Sequence, residues 1–104
     1  MTSRPELEQR YRDLVSTELP DAARRGGWVI RLDHCFGRVL LDDAVGACWY
    51  DVLGRGRGAA FRKLDDERLA HAVGQGERML REGAAVVAAL DAQSLAWRGK
   101  APKV

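Results

Sequence analysis

Apolar positions recur every three or four residues through most of the chain, which is the spacing of an amphipathic helix. In the first such stretch, residues 3–19, Ser3 and Glu6 have the spacing of a capping box, and Pro20 interrupts the pattern. The apolar side of this stretch consists of Leu7, Tyr11, Leu14, Val15 and Leu19. We therefore predict a surface helix that packs one face.

The second stretch, residues 33–53, is apolar on two sides of a helical wheel. Its first half presents Phe36 and Leu40 on one side, and its second half presents Val45 on the opposite side. Such a helix is either central and buried all round, or broken near residues 42–43. The positions expected to be most buried are Phe36, Val39, Leu40, Val45 and Trp49.

Two more helices are predicted over residues 65–82 and 84–97, with Asp65 as the N-cap of the first and Gly83 as the break between them. Residues 28–32 are expected to be an extended entry into the second helix. Glycines inside a helix each cost about 1 kcal/mol relative to alanine, so Gly74 and Gly76 predict a bend or a close approach to a neighbouring helix. The pattern predicts an all-α fold with about four helices around a central, largely buried helix.

The chain has 104 residues, of which 46% are apolar, and this is the size of one domain. We therefore expect residues 1–104 to form a single helical domain. The net charge is only +2, so the overall field does not identify a polyanionic partner. The sequence contains neither an apolar run long enough for a membrane span nor a secretory signal, and we expect a cytoplasmic protein without a membrane partner.

Two cysteines and two histidines raise the question of a metal site or a disulfide. If the helix over residues 33–53 is continuous, Cys35 and Cys48 lie about 20 Å apart, which is too far for a disulfide. Neither the cysteines nor His34 and His71 have the pairwise spacing of zinc ligands. We therefore expect no metal and no cofactor.

Three polar residues of the second helix line up along one side of it. His34, Arg38 and Asp42 are spaced four residues apart. In the structural interpretation Arg38 pairs with Asp42 or another carboxylate, and the strip ties the helix to its neighbours. In the functional interpretation His34 is a general base, Arg38 binds an anionic group and Asp42 orients Arg38, as in a small enzyme or ligand-binding protein. We favour the structural interpretation.

Two segments, near residues 54–63 and 98–104, are basic and contain no acidic residue. Flexible cationic groups of this kind contact phosphates, and Phe61 or Trp97 could stack on an unpaired base. The candidate nucleic-acid contacts are Arg55, Arg57, Arg62, Lys63, Arg98, Lys100 and Lys103. The sequence thus favours a small, non-catalytic binding or regulatory module, which acts through weak phosphate contacts or through a protein partner, including a second copy of the chain.

Overall fold

The computed structural model describes residues 2–56 and 58–100, and all regular structure within them is helical. The elements are α1 (Arg4–Asp13), a π-helical segment (Leu14–Glu18), α2 (Leu19–Gly26), α3 (Asp33–Val45), α4 (Trp49–Leu53), a 3₁₀ turn (Ala60–Lys63), α5 (Asp66–Glu82) and α6 (Ala84–Trp97). The predicted all-α domain is confirmed. Among the described residues, no helix has both the length and the apolar character that crossing a bilayer requires.

The sequence pattern predicted that the first helix ends before Pro20. In the structure the helix continues past this proline. Helix α1 continues through the π-helical segment into α2 and stops only at Gly27, which has a φ of 63°. Proline lacks an N–H group, and its ring clashes with the carbonyl four residues earlier in a regular α-helix. The wider π turn, closed by the Leu19 N–H on the Leu14 carbonyl five residues back, carries the chain past this obstacle.

The predicted helix over residues 33–53 is broken, so the continuous alternative is wrong. Helix α3 ends at Val45 because Gly46 adopts a left-handed conformation with a φ of 71°. The chain then turns and starts the short helix α4 at Trp49. The N-cap of α3 is Leu32 rather than Asp33, whose side chain accepts a hydrogen bond from the next backbone N–H instead.

Helix α3 is the centre of the molecule, as predicted, because it contacts the π-helical segment and helices α2, α4, α5 and α6. Phe36, Val39 and Leu40 are fully buried among these neighbours. Val45 and Trp49, which we also expected in the core, are only half-buried. They lie on either side of the turn that ends α3, so they pack at the edge of the core.

The two glycines of α5 have different environments. A Cβ atom on Gly76 would lie 3.0 Å from Leu14 Cδ1 and 3.4 Å from Leu40 Cδ1, so the absence of a side chain lets α5 approach the first helix and α3 closely. Gly74 is exposed, and a Cβ atom there would have no neighbour within 4 Å. The predicted close approach is therefore found at Gly76 alone.

Residues 28–32 join α2 to α3 without helical structure, as predicted. Trp28 and Ile30 point into the core, whereas Val29 and Leu32 are about half exposed. The Trp28 ring packs edge-on against Phe36, with 6.2 Å between the ring centroids. This linker therefore closes one side of the core around α3.

The basic loop near residues 54–63 is more ordered than the sequence suggested, because its last four residues form the 3₁₀ turn. The guanidinium group of Arg4 donates hydrogen bonds to the carbonyls of Phe61, Arg62 and Leu64. Phe61 is buried beside Tyr11, with 4.9 Å between the ring centroids. Phe61 is therefore a core residue and is not available to stack on a base.

Candidate functional site

Asp42 is fully buried and is the centre of a polar network. Its Oδ1 accepts hydrogen bonds from the Trp49 backbone N–H at 2.9 Å and from Arg98 Nη2 at 3.0 Å. Its Oδ2 accepts from Ser94 Oγ at 2.6 Å and from Arg98 Nε at 2.8 Å. A carboxylate can be buried only with such partners, and these four bonds join α3 to the start of α4 and the end of α6.

Arg38 does not pair directly with Asp42, but it pairs with another carboxylate, which is the second possibility that the structural interpretation named. Its Nη2 donates to Asp91 Oδ1 at 2.5 Å, and its Nη1 donates to Ser94 Oγ at 2.8 Å. Ser94 therefore bridges Arg38 and Asp42. Helix α6 packs across α3 and brings Asp91 and Ser94 to the arginine, which makes the other carboxylate the direct partner.

His34 is not part of this network. Its side chain keeps 74% of its surface exposed, and its Nδ1 lies 3.6 Å from Asp33 Oδ1. The three residues of the predicted strip therefore lie in three environments: His34 is exposed, Arg38 is 21% exposed in an ion pair, and Asp42 is buried. Asp42 orients Arg98 rather than Arg38.

A cavity of about 310 Å³, which we call the Arg38 cavity, borders this network. Its lining includes His34, Arg38, Leu41, Trp49, Tyr50 and Arg98. A strip that is only structural has no need of a cavity beside it, yet His34 and Arg38 both line this one. The ion pairs expected of a structural strip and the concavity expected of a site thus occur together.

A second cavity, the Trp97 cavity, measures about 330 Å³. Its lining includes Tyr50, Asp51, Arg55, Trp97, Arg98 and Lys100. Tyr50 and Arg98 belong to both cavities and form the wall between them. The two basic segments, which are distant in sequence, meet here through Arg55 and Lys100.

Two guanidinium groups pack against the ring of Tyr50. The Cζ of Arg55 is 4.0 Å from the centroid of its ring, and that of Arg98 is 4.8 Å from it. Trp49 packs edge-on against the same ring, with 4.3 Å between the ring centroids. The hydrogen bonds from Arg98 to Asp42 raise the pKa of its guanidinium above the ordinary value. The wall between the cavities therefore carries a permanent charge that Asp42 balances.

The other predicted nucleic-acid contacts have varied positions. Arg62 lies over the edge of the core with its Cζ 5.8 Å from the Phe61 centroid, and Lys63 donates to the Gly54 carbonyl at 3.4 Å. Arg98 is only 12% exposed in its ion pair, so it is not a free cation. Arg57 and Lys103 lie outside the described residues.

A third cavity, of about 510 Å³, is open and polar. At its edge Asp43 Oδ2 lies 2.7 Å from His71 Nε2 and accepts a hydrogen bond from Gln75 Nε2 at 3.0 Å. These contacts connect α3 with α5. The sequence pattern does not indicate these contacts, because the partners lie about thirty positions apart.

Cys35 and Cys48 are both free thiols. The break after Val45 removes the argument that a continuous helix holds them about 20 Å apart, but no disulfide joins them. Within residues 2–56 and 58–100, no three histidine, cysteine or acidic side chains are grouped as metal ligands would be.

Sequence reasoning missed Asp91, Ser94, Trp49 and Tyr50 as parts of the site. A signal for the first two was present, since they are polar and three residues apart on a helix whose other residues, apart from Gln93, are apolar. Comparisons with family models, with curated proteins and with solved structures gave no match.

Proposed function

We propose that the protein is a small, non-catalytic binding module that binds single-stranded nucleic acid weakly in the Trp97 cavity. The observation that carries this proposal is the meeting of Arg55 from one basic segment and Lys100 from the other beside Trp97. Exposed cations supply phosphate contacts, and an exposed indole offers a stacking surface for an unpaired base. The cytoplasmic location and a protein partner stay predictions.

The charges of the cavity favour weak binding. Asp51 lies in the same lining and opposes a phosphate, and Asp42 already balances the charge of Arg98. Arg55 and Lys100 are therefore the cations that a backbone phosphate would meet. With two such contacts, we expect micromolar or weaker affinity that falls by about sevenfold when the salt concentration rises fourfold.

An enzymatic role for the strip is less well supported. Asp42 is fully buried with four hydrogen bonds, and Arg38 is engaged with Asp91 and Ser94. These contacts are typical of structural ion pairs. If His34 were a catalytic base, a nitrogen of its ring would have to be held close to a bound substrate. The His34 side chain is exposed, and its surroundings do not hold the ring in one position.

The test is fluorescence anisotropy with a labelled oligothymidylate and the full chain at several salt concentrations. The double variant Arg55→Gln/Lys100→Gln should weaken binding and reduce the slope of log K against log salt by about 1.4, because each phosphate contact contributes roughly 0.7 for a single strand.

The matched control is Arg24→Gln/Arg25→Gln, which removes two exposed charges from α2. This control should change binding little. Equal losses in both double variants would reduce the effect to net charge, and an oligonucleotide that does not bind the unmodified protein at low salt would refute the proposal.

A further inference from the structure

The Arg38 cavity differs from the other two cavities in its charge. Among the described residues, none of the side chains that line it is a carboxylate, whereas Asp51 lines the Trp97 cavity and several acidic residues line the cavity beside Asp43. Its basic side chains are His34, Arg38 and Arg98, and the rest of its lining is mostly apolar or aromatic. Such a lining suits a ligand with an anionic end and an apolar body.

The carboxylates that balance the two arginines are not part of the cavity lining. Asp91 and Asp42 are buried in the protein and do not line the cavity. A guanidinium group has five N–H donors. Arg38 uses one for Asp91 and one for Ser94, and Arg98 uses two for Asp42. These contacts leave three donors on each guanidinium group, and both arginines line the cavity.

We propose that the Arg38 cavity binds a small organic anion, namely a single planar ring that carries one carboxylate. The carboxylate accepts hydrogen bonds from the guanidinium groups of Arg38 and Arg98, and the ring packs against Trp49 and Leu41. The volume of about 310 Å³ is at the small end of ligand pockets, which run from roughly 300 to 1,000 Å³, and it suits one ring rather than a larger molecule.

The ion pairs prepare this site rather than occupy it. Asp42 and Asp91 hold both guanidinium groups in place, so a ligand does not have to order two long side chains when it binds. The same pairs cancel most of the local charge. Recognition then depends on directed hydrogen bonds to a carboxylate, which favours a monoanion over a polyphosphate.

The experiment is calorimetric titration of the full chain with benzoate, and with benzamide as a neutral ligand of the same shape. Benzoate should bind saturably. The affinity for benzamide should be lower by a factor of about ten or more, because benzamide lacks the charge that strengthens hydrogen bonds to guanidinium. Equal affinity for the two ligands, or no saturable binding of benzoate, would overturn the proposal.

The variant His34→Glu places a carboxylate at the mouth of the cavity, at a side chain exposed enough that folding should not suffer. Benzoate affinity should fall about tenfold from like-charge repulsion near a partly buried site. The control Gln93→Glu makes the same charge change at an exposed position of α6 outside the cavity. If both variants reduce affinity equally, benzoate does not bind in the Arg38 cavity.

This proposal is independent of nucleic-acid binding. The variant Arg55→Gln/Lys100→Gln should keep its affinity for benzoate, because neither residue lines the Arg38 cavity. Loss of benzoate binding in this variant would show that the anion binds in the Trp97 cavity instead, and would refute the assignment to the Arg38 cavity.

Discussion

At the scale of single residues, two neighbouring aspartates of α3 have opposite surroundings. Asp42 is fully buried and pairs with Arg98, whose side chain is 12% exposed. Asp43 is 17% exposed and pairs with His71, whose side chain is 52% exposed. Removing one partner of a buried pair leaves an uncompensated charge, whereas a surface pair is screened by water. The two positions therefore form a matched test of burial.

We expect Asp42→Asn to lower the free energy of unfolding by roughly 3 kcal/mol or more, because Arg98 loses its ionic partner in a buried setting. Asp43→Asn should lower it by less than about 1 kcal/mol. Urea denaturation of both variants measures the difference. Similar small losses in the two variants would show that the Asp42 network contributes little to stability.

At the scale of the helical elements, close packing decides what a glycine contributes. Gly76 lets α5 approach Leu14 and Leu40, whereas Gly74, two positions earlier, faces open space. Both lie inside the same α-helix, so the intrinsic penalty of glycine is the same at each. Any difference between alanine substitutions at these positions comes from tertiary contact.

The variant Gly74→Ala should raise the free energy of unfolding by about 1 kcal/mol, because alanine is the better helix former. The variant Gly76→Ala should bring no gain or a loss, because the new methyl group presses on Leu14 Cδ1 at 3.0 Å and overpacking costs roughly 1–3 kcal/mol. Thermal and urea unfolding of the pair tests this. Equal stabilisation by both would mean that α5 shifts freely.

At the scale of the whole molecule, stability should depend on alkaline pH through Tyr11. This residue of α1 is buried in the core, and burial raises the pKa of its phenol above the ordinary value of about 10. The folded protein therefore holds the phenol proton more tightly than the unfolded chain. The resulting stabilisation is complete below pH 10 and is lost as the pH rises above it.

Above about pH 10, we expect the free energy of unfolding to fall with pH in the unmodified protein more steeply than in the variant Tyr11→Phe. The two slopes should differ by about 1.4 kcal/mol per pH unit. The variant keeps the ring that packs on Phe61 and lacks the titrating group. Denaturant titrations between pH 8 and about 11.5 measure both slopes. Parallel curves for the two proteins would contradict the assignment to Tyr11.

Much of the fold was predictable from the sequence because its causes are local. Ser3 and Asp65 accept hydrogen bonds from backbone N–H groups three residues later, as their positions in the sequence indicated. The apolar spacing also predicted α5 and α6 closely, since a helix face depends on residues three or four apart.

The sequence left open whether the helix after residue 33 breaks, and the tertiary structure decided both this and the composition of the two cavities. Arg38 bonds to Ser94 across 56 positions of sequence, and Arg55 and Lys100, which are 45 positions apart, line the same cavity. Helical periodicity shows which side of a helix is polar. Which carboxylate pairs with Arg38, and which distant basic segments line the same cavity, depends on how α6 packs across α3.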